Sequence, residues 1–349
     1  METPAIGHTI TPDKTPAKFI GYVHNFRGIA MMYIVAAHVL VQWPENSIVH
    51  KILVLLFQNS TIFFMFISGF LFQYLGHKFE YRDYLKRKFQ YVICPYLVLS
   101  VPLILYRVYG GDVPGFTTDE HPDFLSWPRW EQAGYYLVHG AHLQQLWFIP
   151  VITLYYLISP LLLQIDKHPR LYYLLIPLLA ISLIWQRSVL SDTLVMAVHF
   201  LSVYVAGMFT GRYRNQVLAF ADRHRLLITL LPLVLMGITY FSPAWLYDRV
   251  DFLQKILFCI FFLYWLYRLD TRVPQWIGTI AVLSFGIYYI HYFFVLFLRG
   301  VSLKLYHREI PGNLLTWTLS YVFIMAGSVV ALKIIKRILG KYSRYIVGY

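Results

Sequence analysis

The sequence predicts an all-α protein, a polytopic transmembrane helical bundle of about ten spans with both termini cytoplasmic. Three observations carry that reading. Hydrophobic residues make up 58% of the chain and charged residues only 13%, whereas a soluble domain has about a quarter charged. Long apolar runs recur from Val23 to Leu339, near the ~20 residues that a helix needs to cross a bilayer. Most of the 30 Lys and Arg residues fall in alternate segments between those runs, the bias that marks cytoplasmic loops.

The 349 residues divide into a polar segment 1–21, a single transmembrane domain 22–339 and a basic cytoplasmic tail 340–349. The first segment carries Pro4, Pro12 and Pro16 and lacks a basic start followed by a short apolar core. No cleaved signal peptide is expected, and the first span would serve as an uncleaved anchor. The ten candidate spans are 22–43, 52–75, 91–106, 145–163, 171–185, 194–210, 226–242, 252–267, 276–298 and 314–335. With the N-terminus cytoplasmic, the clusters around Lys86-Arg87-Lys88, Arg212 to Arg225 and Lys333 to Arg344 all fall inside. Loop 299–313, with Arg299, Lys304 and Arg308, is the exception. The net charge of +13 is therefore an orientation signal rather than a nucleic-acid patch. Cys94 and Cys259 lie in apolar runs and read as small buried hydrophobes. No internal repeat is visible.

Function is best indicated by the first span. Arg27 and His38 stand eleven residues apart. At about 100° per residue their side chains return to within roughly 20° of one face, about 16 Å apart along the axis. An ionisable pair on one stripe of a membrane helix is costly and by default functional. Snorkelling to the headgroups is the structural alternative for Arg27. His38, placed near mid-depth, must face protein or a water-filled cavity. None of the ten spans contains an Asp or Glu, so a hydroxyl, an amide or a backbone carbonyl must orient His38.

Four further segments hold polar groups in apolar surroundings. Ser68-Gly69 is a small pair within a bulky run, suited to close helix packing or to backbone approach to a ligand. The run Arg82 to Lys88 is a topology signal that could also hold an anionic cosubstrate. Trp147, in Gln145-Leu146-Trp147-Phe148, is an interfacial anchor by default. Ser284, Tyr288 and His291 fall at i, i+4 and i+7 and share a helix face, as the lining of a cavity would. Segment 107–144 carries Asp112, Asp119, Glu120, Asp123, Glu131, Trp127 and Trp130. It reads either as an acceptor-lining outer loop or as a solvated loop with interfacial aromatics. No phosphate-binding glycine loop, metal-binding HExxH, CxxC pair or GxSxG elbow is present, and no metal site is expected.

Together these segments resemble the membrane-bound acyltransferase-3 family. The resemblance rests on Asn25 to Ala30 with His38, on Phe63 to Leu71, on the basic run with Arg87 followed by Pro95-Tyr96, on Leu146-Trp147-Phe148 with Ser159-Pro160, and on Ser284 to Tyr288 leading to His291. They occur in the expected order over nearly the whole chain. What the resemblance implies is an O-acyltransferase that moves a short acyl group, most often acetyl, from cytoplasmic acyl-CoA to a hydroxyl of a cell-surface or lipid-linked glycan such as an exopolysaccharide. Arg27, with Lys86 and Arg87, would pair with the CoA phosphates. His38 would act as general base or as a transient acyl carrier. Ser68, Trp147, Ser284, Tyr288 and His291 would line the substrate cavity. A multi-pass protein of the bacterial inner membrane is expected, in contact with membrane lipids and with polysaccharide-assembly proteins as compatible partners.

Two departures stand out. Many relatives place a His directly before the Leu-Trp-Phe element, where this chain has Gln145. Relatives with a fused SGNH-type esterase domain are longer, so this chain would complete the transfer itself or with a partner. The competing readings are a non-enzymatic membrane scaffold or sensor, which would tolerate substitution at Arg27 and His38, and a transporter or flippase for a lipid-linked glycan. The latter predicts intramembrane acids or broken helices in paired halves.

Overall fold

The computed structural model describes residues 20–110, 121–186 and 192–349. Among them every regular element is helical, and the only bridge is an isolated one between Gln42 and Pro311. Six helical segments are long and apolar enough to cross a membrane, or eight if each of two sharply bent pairs counts as one span. The other two of the ten expected segments are also helical but shorter: Gly21–Ala37, with 17 residues, and Pro169–Ile184.

Helix α1 (Gly21–Ala37) is shorter than the sequence suggests. His38 is its C-cap rather than a residue of its middle. The cause is local. In a continuing helix the Ile34 carbonyl would accept the His38 backbone N–H; here it accepts the imidazole Nδ1–H instead, at 2.7 Å. Pro44, which disfavours helix in the residue before it, stops any resumption.

The second apolar run is also divided, into α2 (Ile48–Phe57) and α3 (Thr61–Tyr74), with Asn59 between them at a φ of 58°. Helix α4 (Tyr81–Lys88) continues through a π-turn at Phe89–Ile93 into α5 (Cys94–Tyr109). Segment 107–144 folds in part into α6 (Arg129–His139). Its Asp112, Asp119 and Glu120 lie outside the described residues. Helices α7 (Phe148–Leu157) and α8 (Ser159–Lys167) meet at 61°, where Pro160 disfavours a straight continuation. Helices α9 (Leu175–Ile184) and α10 (Thr193–Arg212) follow, and then α11 (Arg214–Arg223) and α12 (Arg225–Phe241), which meet at 86°. Helices α13 (Ala244–Arg268), α14 (Gln275–Tyr306) and α15 (Leu314–Leu339) complete the bundle. The expected tail forms α16 (Ser343–Val347), which packs on α5 with Ser343 and Val347 buried.

Two parallel helix pairs frame the interior. Helices α3 and α10 approach so closely that a Cβ on Gly69 would lie 1.9 Å from the Tyr204 carbonyl oxygen, and one on Gly207 2.0 Å from that of Phe66. Small residues permit this backbone approach in membrane bundles. Helices α1 and α14 meet at Gly28, whose Cβ would lie 2.5 Å from the Ile277 carbonyl oxygen. Between the pairs Phe26, Tyr33 and Phe63 pack with Phe262 at centroid distances of 5.5–5.6 Å.

One expectation is corrected in α13. The sequence reading left the spans without a carboxylate, but α13 begins at Ala244 and so takes in Asp248 and Asp251. Asp251 and Lys255 are buried, 3.4 Å apart, one helical turn from each other. Lys255 Nζ donates to the Leu55 and Leu56 carbonyls, Gln254 Nε2 donates to that of Leu55, and Asp251 accepts from Asn59 Nδ2 at 2.6 Å. The last carbonyls of a helix have no intrahelical donors, and a cation suits that end. The pair thus caps α2 and holds the break in place.

Candidate active site

The site forms at the end of α1 occupied by His38. Because Nδ1 of His38 faces a carbonyl oxygen, that nitrogen carries the proton, and Nε2 presents the basic lone pair. His38 lines two adjoining spaces. The larger, of about 330 Å³, is bounded by the α2–α3 break (Gln58, Asn59, Ser60, Thr61), by Gln144 and Trp147, by Gln186 and His199, and by Tyr247, Asp248 and Phe252. Trp147 stacks on Phe200 at 5.6 Å and 22°. The smaller, of about 20 Å³, is lined by His38, Thr61, Phe64, Gln145, Trp147, Phe148 and Tyr288.

Helix α14 forms the wall behind His38. The His291 ring lies 5.2 Å from that of His38. Its Nδ1 faces the Ile287 and Tyr288 carbonyls, each at 2.9 Å, so His291 too presents Nε2 as its lone-pair nitrogen. The Tyr288 hydroxyl donates to the Gln145 carbonyl, and the Tyr292 hydroxyl donates to Gln144 Oε1 at 2.7 Å. These bonds fix the turn that presents Gln144, Gln145 and Trp147.

Of the residues singled out by sequence, the structure brings together His38, Trp147, Tyr288 and His291. Ser284 is buried on the same helix but lines neither space. Ser68 is half-buried and lines neither; its neighbour Gly69 serves helix packing instead. Arg27 lies at the opposite end of α1, where Nε and Nη2 both donate to the Ala281 carbonyl, at 3.0 and 2.7 Å. It joins α1 to α14. Lys86 and Arg87 are exposed on α4. The cation of that run that turns inward is Lys88, with Nζ 5.2 and 4.8 Å from the Tyr84 and Tyr156 ring centres.

Several cavity residues were not singled out from the sequence. The polar triplet Gln58-Asn59-Ser60 inside an apolar run was the available signal for the break. His199 was visible as an intramembrane histidine. Its Nδ1 donates to the Trp185 carbonyl at 3.0 Å. Asp248 gave no signal until the start of α13 was known.

Chemically, the arrangement offers an imidazole held through Nδ1 beside a space lined by amides, hydroxyls, a carboxylate and stacked aromatics. It can take a proton from a hydroxyl held in that space. No curated protein and no solved structure matches the chain. The model of the acyltransferase-3 family, an acyltransferase domain, matches residues 20–333. With the match extending over nearly all of the helical bundle that holds His38, the chain belongs to the acyltransferase-3 family.

Proposed function

We propose that this membrane acyltransferase moves a short acyl group, acetyl in the first instance, from acyl-CoA at the Arg27 end of the bundle to a hydroxyl of a glycan or lipid-linked sugar in the cavity at the His38 end. The observation that carries the reading is His38, with Nδ1 committed to Ile34 and its ring lining a cavity of about 330 Å³. Sugar recognition calls for donors and acceptors matched to hydroxyls beside an aromatic face. Gln58, Asn59, Gln144, Gln186 and Asp248 supply the first and Trp147 the second. The donor's phosphates suit a basic surface. Lys86 and Arg87 supply one in the last turn of α4, and Arg27 contributes its remaining N–H groups. With the termini cytoplasmic, in a bacterial inner membrane, the donor end would face the cytoplasm and ten helical segments would cross.

In this reading His38 Nε2 takes the proton of the acceptor hydroxyl as its oxygen attacks the thioester carbonyl carbon. The carbon–sulfur bond then breaks, and the proton passes from His38 to the departing thiolate. The products are the acyl ester and free CoA thiol.

The test is transfer of label from [14C]acetyl-CoA to the glycan and lipid fractions of membranes containing the wild type or His38→Ala. Label in a glycan fraction with the wild type alone supports the reading. Equal label with both variants, or none with either, removes it.

A further inference from the structure

Gln145 Nε2 and Oε1 and His291 Nε2 beside His38, Gln186 Nε2 in the large cavity and Ser284 Oγ on α14 are buried hydrogen-bonding groups that the described residues leave unused. A buried polar group left unpaired costs about 1–3 kcal/mol, and each such group calls for an explanation. Of these side chains Gln145 is the one beside His38 in the smaller space. It is 2% exposed and lines the small chamber with His38. Its position is secured from behind, because Tyr288 donates to its carbonyl oxygen. That bond leaves the carboxamide uncommitted.

The chamber's dimensions matter as much as its lining. About 20 Å³ is space for roughly one water molecule, which matches a single carbonyl oxygen. Phe64 and Phe148 close it on the apolar side. A hydrogen bond made in such a site is stronger than in water and needs no solvent to reorganise.

We infer that Gln145 is a further catalytic residue: its carboxamide N–H donates to the carbonyl oxygen of the acyl group, which occupies the small chamber. The inference rests on the acyl-transfer reading above. As the acceptor oxygen bonds to the carbonyl carbon and His38 takes its proton, the carbonyl π electrons move to that oxygen, and Gln145 Nε2–H stabilises the resulting charge. When the carbonyl re-forms, the electron pair leaves with sulfur, which takes the proton from His38. Gln145 exchanges no proton at any stage.

The experiment uses the full chain in lipid nanodiscs, with [14C]acetyl-CoA as donor and a glycan extract of the host as acceptor. Thiol release and labelled glycan are followed together, and thermal unfolding is measured on the same samples. Gln145→Met keeps the length of the side chain and removes the donor. Expected for it are a kcat lower by about 100- to 1,000-fold, a KM for acetyl-CoA within about twofold of wild type, and an unfolding temperature equal to or above wild type, because an unpaired amide is gone. Gln145→His, which retains an N–H, recovers part of the rate.

A Gln145→Met variant with wild-type kcat overturns the inference while leaving the acyl-transfer reading intact. Loss of rate in step with a lower unfolding temperature also overturns it, since Gln145 is then a packing residue. Absence of thiol release and of labelled glycan with the wild type removes the acyl-transfer reading, and this inference with it.

Discussion

His38 and His291 meet ring to ring, 5.2 Å between centroids and inclined at 61°, from helices that run parallel. Each spends its Nδ1–H on carbonyls of its own helix. Neither Nδ1 can therefore donate to the other ring.

The position of His38 at the end of α1 makes its role separable from folding. It caps the helix and meets the core only through its ring, against His291 and Tyr292. His38→Ala is expected to reduce transfer by about 100- to 10,000-fold, the usual share of general-base catalysis. It should shift unfolding by no more than about 1 kcal/mol, the net value of one hydrogen bond. Kinetics and thermal melts of the same nanodisc sample check both. A melt depressed in proportion to the lost rate would make His38 structural.

The Asp251–Lys255 pair behaves differently, because removing one charge strands the other. Lys255→Met leaves Asp251 buried with Asn59 as its remaining hydrogen-bond partner and uncaps α2. A loss of about 3–5 kcal/mol is expected. Replacing both residues, as Asp251→Asn with Lys255→Met, should restore part of it. Strict additivity in a double-mutant cycle would show that the two do not act as a unit. Since Asn59 lines the cavity, the single variant should also weaken acceptor use more than donor use.

The helices themselves were legible from the sequence, because apolar runs report burial directly and each of the ten expected segments contains one. The Arg27–His38 stripe was legible for the same reason: helical periodicity survives without tertiary information. Three things were not. The end of α1 falls at His38, inside an unbroken apolar run. The Asp251–Lys255 pair sits at the edge of an apolar run, where interfacial charges look the same. Ser68 is next to the right motif, but the Gly69–Gly207 approach sets the rotation of α3 and turns Ser68 away from both spaces. Each depends on which helix lies opposite, and that is not written in local spacing.

The glycines distinguish these cases experimentally. Gly69→Ala puts a methyl 1.9 Å from the Tyr204 carbonyl oxygen, so α3 and α10 must separate. A destabilisation of about 1–3 kcal/mol, or more, is expected. Gly237, within α12, has nothing within 4 Å of where its Cβ would be. There Gly237→Ala should stabilise by about 0.5–1 kcal/mol, through helix propensity alone. Equal melting temperatures for the two variants would contradict the packing described.

A pH dependence follows from His142, in the segment between α6 and α7 read as lying outside the membrane. Its Nδ1 faces the Tyr136 carbonyl at 3.0 Å and its Nε2 faces Ser100 Oγ at 2.8 Å. Nδ1 therefore carries the proton and Ser100 donates to Nε2. Arg107 donates to the His142 backbone carbonyl at 2.9 Å. Burial pushes the imidazole down to about 4, with the Arg107 cation acting in the same direction and the Tyr136 carbonyl opposing. The unfolded chain binds a proton near pH 6.5, so between there and about 4 the unfolded state holds more protons than the folded one. Stability is then fully present above pH 6.5 and falls with pH, by about 3 kcal/mol once the folded pKa is passed. Thermal unfolding in nanodiscs from pH 7.5 to 4.5 should show this decline in the wild type and a shallower one in His142→Gln, which can still bond both partners. Identical slopes in the two proteins would mean that His142 takes up its proton at the same pH folded and unfolded, and its bond from Ser100 would have to be redrawn.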